Sequence, residues 1–330
     1  PPRNDLEKQV CKIWQEVLGI KQIGINDDFF RIGGDSILSI QVACRVSKVL
    51  NYKIKITDIF RLRTIKNIVY DLKKAKNIDH SGLISMYCQN YNFQLKNMVF
   101  IHPGNGGSEV YQSLAEKLVP IFNCIGIDNY NHNPDNKIDS LSAIAQYYLK
   151  LYLDNYNLVQ PLYFLGWSLG GQIALKIAGM LEDMGVKDIR VILLDTVLPD
   201  KTLNLLKRNL DSNSVKLHIK HQILQDYESS YVSTILSAVD AEQSIHYADI
   251  KEYKPLNNTK ILLFKATKKN PTIKGHKVLE DINHYILSSL PQNNINQIHK
   301  NIKVVRLPCS HVNILNFKDE IIQGIKDFSL

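Results

Sequence analysis

Leu162-Tyr163-Phe164-Leu165-Gly166-Trp167-Ser168-Leu169-Gly170-Gly171 decides the fold of the larger part of this chain. The run up to Trp167 is continuously apolar and reads as a buried strand, while Leu169 to Leu181 has helical periodicity. Between them, G-x-S-x-G reads as a nucleophile elbow. The turn is so tight that the residues flanking the serine must be small, and it leaves the hydroxyl exposed above a sheet. The amide of Leu169, at the helix start, then points toward any developing oxyanion. Five residues recur by chance, so the strand and helix on either side carry the case against a purely structural serine.

Further apolar runs (Met98 to Ile101, Phe122 to Ile127, Val191 to Leu194, Val304 to Leu307) alternate with helical patterns over Glu109 to Val119 and Leu141 to Leu153. This predicts a mostly parallel sheet covered by helices on both faces. A serine needs a base and the base an orienting carboxylate, in chain order Ser, acid, His. Asp195 ends the strand after the elbow and so shares an edge with Ser168; Asp200, past the strand end and after Pro199, is the runner-up. His311 follows the last strand in the loop Pro308-Cys309-Ser310, where the order expects the base. His276, His284 and His299 lie in a polar insertion, and His218, His221 and His246 in a segment read as a lid. Cys309 reads as packing, since no activating group accompanies it. The loop His102-Pro103-Gly104-Asn105-Gly106-Gly107 follows the first core strand. It either supplies a second oxyanion amide, from Gly104, or is an ordinary glycine turn. His102 reads as a brace for it.

The amino-terminal part has another glycine-flanked serine, in Asp27-Asp28-Phe29-Phe30-Arg31-Ile32-Gly33-Gly34-Asp35-Ser36-Ile37. Leu6, Val10, Ile13, Trp14, Val17 and Leu18 share a helical face, as do Ile37, Ile40, Ala43, Val46 and Leu50. Thr57 and Thr64 can each cap a further helix, which predicts a small four-helix bundle. Ser36 stands where the loop enters the second long helix. Capping alone favours a serine there. Gly33 and Gly34 add close access to the backbone, and a phosphate on Ser36 would sit near the positive end of the helix dipole.

The chain has 330 residues, 45% of them hydrophobic, enough for two domains with real cores. Residues 1–80 hold 15 Lys/Arg against 9 Asp/Glu, and the remainder 25 against 23. The excess is not a basic stripe with interleaved aromatics, so nucleic-acid binding is not expected. No apolar run is long enough for a membrane span. Five scattered cysteines without metal-ligand spacing predict reduced thiols in the cytoplasm and no metal site. The start Pro1-Pro2-Arg3-Asn4-Asp5 is neither a signal nor a transit peptide, and without an initiator Met it predicts a fragment of a longer protein.

Asp28-Phe29-Phe30 followed by Gly33-Gly34-Asp35-Ser36 resembles the attachment site of peptidyl carrier domains of nonribosomal peptide synthetases. The resemblance implies a 4′-phosphopantetheine on Ser36, with Gly34 and Asp35 beside it, installed by a phosphopantetheinyl transferase. The His-Pro-Gly-x-Gly-Gly stretch, the elbow, the Leu-Leu-Asp strand end and the Ser310-His311 pair resemble type I thioesterases that end such assembly lines. Together they imply an α/β-hydrolase fold with a helical lid at about 200–257, in which helical patterns at Leu203 to Leu210 and Ile223 to Ala238 agree. The expected division is a carrier at 1–76, a linker with a possible peripheral strand at 77–96, and a thioesterase at 97–330. The implied site is Ser168 with His311 and Asp195, an oxyanion hole from the Leu169 and Gly104 amides, and a peptidyl or acyl thioester as substrate. Adenylation and condensation domains would lie upstream. A carrier scaffold with an inactive docking domain and an editing thioesterase are the alternatives, and the role of 268–300 stays open.

Overall fold

The computed structural model describes residues 2–35, 38–39, 41–43, 45–46, 59, 62–69, 83–87, 91–92, 94–133, 136–156, 158–210, 212–223 and 229–329. They form two compact units, the first made chiefly of residues 1–81. Ser36, Ile37, Ile40, Leu50, Thr57, Cys44, Cys88 and half of the expected linker lie outside the described residues.

In the first unit, α1 (Asp5–Leu18) begins where Asn4 accepts the Glu7 amide and ends at Gly19, whose φ of 69° suits glycine. Its apolar face buries Val10, Ile13 and Trp14 against Phe29, Val42, Ile65 and Ile68. The Trp14 ring meets Phe29 edge-on at 4.8 Å, so the first phenylalanine of the pair is the core anchor. Asp28 fixes the loop from outside, pairing with Arg63 at 2.7 Å. Thr64 Oγ1 accepts the Asn67 amide, the cap expected of it.

The second unit carries a seven-stranded sheet: β1 (Ile84–Met86), β2 (Lys96–Ile101), β3 (Phe122–Ile127), β4 (Leu162–Trp167), β5 (Ile189–Leu194), β6 (Thr259–Ala266) and β7 (Ile302–Leu307). Their order is β1-β3-β2-β4-β5-β6-β7, with β1 antiparallel to β3 and every other pair parallel. Strand β6 is absent from the sequence expectations; it lies between the expected lid and the segment 268–300. Helices α2 (Gln112–Leu118) and α9 (Lys318–Ser329) cover the face bearing Met98, Phe100, Leu165, Ile192 and Phe264. Helix α4 (Leu169–Asp183) meets the opposite face, where Gly171 lies against Leu193. Helix α3 (Leu141–Asn155) completes the β3–β4 crossover.

Above the carboxyl ends of the strands lie α5 (Lys201–Lys207), α6 (Ser212–Ile223) and α7 (Ser229–His246), followed after β6 by α8 (Lys277–Ser289). Helix α7 runs past the expected end at Ala238. Ala241, Glu242 and Ile245 are buried, so tertiary packing prolongs it beyond what local periodicity marks. The expected helix at Glu109 to Val119 opens as a 3₁₀ turn, Ser108–Tyr111, before α2.

Candidate active site

Each glycine of the elbow has a steric reason. A Cβ on Gly166 would strike the backbone of Gly170 and Gly171, one on Gly170 the carbonyls of Ile101 and His102, and one on Gly171 the Thr196 side chain. Ser168 itself sits at φ 54°, ψ −114°, a strained conformation for a side-chain-bearing residue. Buried strands on either side hold it there: the Ser168 amide donates to Leu194 O at 3.0 Å.

Asp195, also at positive φ (45°), follows β5 and is 4% exposed. Its Oδ2 accepts from His311 Nδ1 at 2.8 Å, and its Oδ1 accepts from the Ala266 amide at 3.1 Å and Asn293 Nδ2 at 3.0 Å. The amide orientation of Asn293 is set by Lys265, whose Nζ donates to Asn293 Oδ1 and to Ile286 O. His311 stands beside the elbow with its ring 5.7 Å from that of Trp167. Ser168, Asp195 and His311 line one cavity. No hydrogen bond joins Ser168 to His311 among the described residues.

Asp200, the competing acid, is engaged elsewhere. It accepts the Leu203 amide as the cap of α5, and also Tyr285 Oη and Asn294 Nδ2. Of the histidines expected in a lid or a polar insertion, His276 caps α8 and His299 bonds the Leu256 carbonyl. His246 instead enters the cavity, its Nδ1 3.1 Å from Gln172 Oε1, with burial first and Lys207 next driving its pKa well down. Cys309 is buried, its thiol pushed up to about 11 by desolvation, which suits packing.

The loop after β2 is braced on both sides. His102 bonds the Pro103 carbonyl and Tyr148 Oη, each at 2.7 Å, and burial lowers its pKa to about 4. Glu242, on α7, accepts the Asn105 amide at 3.0 Å and Asn129 Nδ2. Its pKa is raised, chiefly by desolvation. Gly104 lies against Leu169: a Cβ built on it would be 3.7 Å from Leu169 Cβ, an ordinary contact. Neither amide, Gly104 nor Leu169, donates elsewhere among the described residues.

Sequence reasoning missed Asn293, Lys265, Glu242, Lys207 and the place of His246. The segment 268–300, for which the sequence suggests no role, helps to build the site. Leu279, Ile282 and Ile286 of α8 wall the cavity, and α8 packs on α5 through Leu203, Leu206 and Ile282. Among the described residues no cluster of His, Cys, Asp or Glu is arranged for a metal, and no helix is long and apolar enough to cross a membrane.

Residues 96–328 match the thioesterase domain model. The chain belongs to the thioesterase family. Ahead of the thioesterase domain, residues 8–70 match the phosphopantetheine attachment site model, so a carrier region precedes it. The chain is 31% identical over 212 residues to surfactin synthase subunit 3 of Bacillus subtilis, covering 64% of this chain and 16% of that protein. Tyrocidine synthase 3 of Brevibacillus parabrevis is 28% identical over 206 residues, covering 61% of this chain and 3% of its own length. This thioesterase chain therefore spans a small share of these relatives. A holo four-domain nonribosomal peptide synthetase bound to AMP and glycine aligns with 99% of the chain and 26% of its own (TM-score 0.55, 18% identity). The NocB thioesterase domain, in covalent complex with a fluorophosphonate nocardicin G analogue, aligns with 74% of this chain and 98% of its own (TM-score 0.52, 16% identity). At these identities the structures speak for the α/β-hydrolase fold alone.

Proposed function

We propose that the chain is the terminal carrier–thioesterase pair of a nonribosomal peptide synthetase, with a carrier at 1–76, a linker at 77–96, a thioesterase at 97–330 and a lid at about 200–257. The reading rests on one observation above the rest: Asp195 holds His311 at 2.8 Å in the cavity lined by Ser168.

The carrier loop suits a 4′-phosphopantetheine on Ser36. Asp35 Oδ1 accepts the Leu38 amide at 2.7 Å, so Asp35 is the cap and capping does not account for the serine that follows it. A Cβ on Gly34 would collide with the Phe29 ring and lie 2.6 Å from its carbonyl, so only glycine lets this loop close over its anchor. When attached, the group supplies the thiol that carries the acyl chain as a thioester.

His311 takes the proton from Ser168 Oγ as that oxygen bonds to the thioester carbonyl carbon. Asp195 holds the imidazole tautomer and stabilises its charged form. The Leu169 and Gly104 amides receive the oxyanion; losing one such donor typically costs ~100–1000-fold in rate. The C–S bond then breaks, His311 returns the proton to the departing thiol, and the acyl group stays as an ester on Ser168. Water, or an amine or hydroxyl within the acyl chain, attacks that ester with His311 again as base. Adenylation and condensation domains upstream would supply the chain, and a phosphopantetheinyl transferase the arm.

Peptide-mapping mass spectrometry after treatment with coenzyme A, a promiscuous phosphopantetheinyl transferase and a fluorophosphonate tests both serines together. Pantetheine on Ser36 and phosphonate on Ser168 are expected. Label on neither would sink both assignments.

A further inference from the structure

The cavity at Ser168 measures about 190 Å³, smaller than pockets that enclose drug-sized ligands (about 300–1,000 Å³), and so seats the near end of an acyl chain. Val197, Leu203, Leu279, Ile282 and Ile286 make much of its wall apolar. Against that wall stand two amines, Lys207 at the end of α5 and the exposed Lys268 beyond β6. One carboxylate is among the lining residues, Asp195, and His311, Asn293 and the Ala266 amide already engage it.

Lys207 is 6% exposed. It makes one long hydrogen bond, 3.5 Å to the His246 carbonyl, and lies 5.1 Å from the Tyr247 ring centre. No carboxylate pairs with it among the described residues. Burial lowers its pKa to about 7, with Asp200 at the start of α5 pulling the other way. An unpaired buried ammonium is costly in any fold, and an apolar residue of similar length would fill the same place without that cost. The arrangement makes physical sense when an anion enters the cavity.

We propose that Lys207 anchors a carboxylate carried by the acyl chain, so that the cavity selects acyl groups with an acidic side chain close to the thioester carbonyl. This rests on Ser168 being the acylated residue. A phosphate on the carrier serine stays bonded to the carrier at the far end of the arm, which leaves the acyl chain as the source of the anion. Its carboxylate is ionised across the working pH range, so the lysine decides when the pair forms. Lys207 is charged below about pH 7 and loses its charge above it. His246 is held neutral by burial and Lys268 is exposed, so neither reverses that trend. His311 serves acidic and neutral substrates alike, so its part in the reaction cancels from their ratio.

The test uses N-acetylcysteamine thioesters of short peptides, which lack any phosphate, in pairs with Glu or Gln at the residue bearing the thioester or at the one before it. At pH 6 the wild type is expected to favour Glu in one pair by about ten- to a hundredfold in kcat/KM, the value of a charge-assisted hydrogen bond. The ratio should fall as pH rises past 7. Lys207→Met should bring it close to one, while Lys207→Arg should retain a preference that stays flat above pH 7, because a guanidinium does not deprotonate there. A wild-type ratio near one in both pairs, or a ratio unchanged in Lys207→Met, overturns the anchor while leaving Ser168 in place. Turnover of none of the thioesters removes the proposed function and the anchor together.

Discussion

At the sheet edge β5 is buried along its whole length, β4 is buried up to its last residue, and Ser168 and Asp195 are locked by backbone hydrogen bonds to neighbouring strands. The helices above are built more loosely: among the described residues α5 to α8 contribute two small apolar clusters, and Leu205 and Leu217 stand 60% and 56% exposed. The difference separates two demands on one cavity. Bond making needs atoms fixed against close-packed strands, whereas choosing among acyl chains needs a wall that can be altered without moving them.

The largest way to break that contrast is at the two aspartates. Asp195→Asn is expected to lower kcat by about 10⁴, since an amide cannot hold the required His311 tautomer. Asp200→Asn keeps an acceptor for the α5 cap and should cost less than about 1 kcal/mol in stability. Equal losses of turnover in steady-state assays would mean that edge and cover do not divide the work.

A smaller effect concerns His102, in the loop after β2. Its pKa falls from an ordinary 6.5 to about 4 because burial opposes its charge. Below pH 6.5 the unfolded chain takes up a proton that the folded protein refuses. The stability linked to this group is therefore full above pH 6.5 and is lost as pH drops toward 4, up to roughly 3 kcal/mol. Urea unfolding of the wild type and His102→Gln at pH 7 and pH 4.5 should show a shallower loss in the variant. Parallel losses would contradict a histidine held neutral.

Asn293 sharpens the contrast further, because it lies in the turn after α8 yet bonds Asp195 at the edge. Asn293→Ala removes one donor to a buried carboxylate, worth about 1–3 kcal/mol, and so a fall of roughly 5- to 150-fold in kcat. The pH–rate profile should move with it if Asn293 positions Asp195, which it bonds at 3.0 Å. A lower Tm with an unshifted profile would reduce Asn293 to a structural residue.

Much of the site was legible from short patterns. The elbow declares itself in a handful of residues because a tight strand–turn–helix admits only glycine at fixed offsets. Asp195 and His311 follow from strand ends in a known chain order. Asn293 and Lys265 lie 98 and 70 residues from Asp195 (293 − 195 and 265 − 195), and nothing in their neighbourhoods marks them. Glu242 reads on α7 as one more polar residue of a helix, and His246 as one more lid histidine. On the carrier, Gly34 and Asp35 were visible as a motif, but the division of labour between them was not: one packs on Phe29, the other caps.

Local sequence thus determined most of the elements, the two glycine-flanked serines and the strand-end places of Asp195 and His311, because turn sterics and periodicity act within a few residues. Tertiary structure alone decided which asparagine steadies Asp195, what 268–300 does, and which lysine is buried beside Ser168 with no carboxylate partner among the described residues. Those outcomes depend on which distant side chains share a volume from which water is excluded.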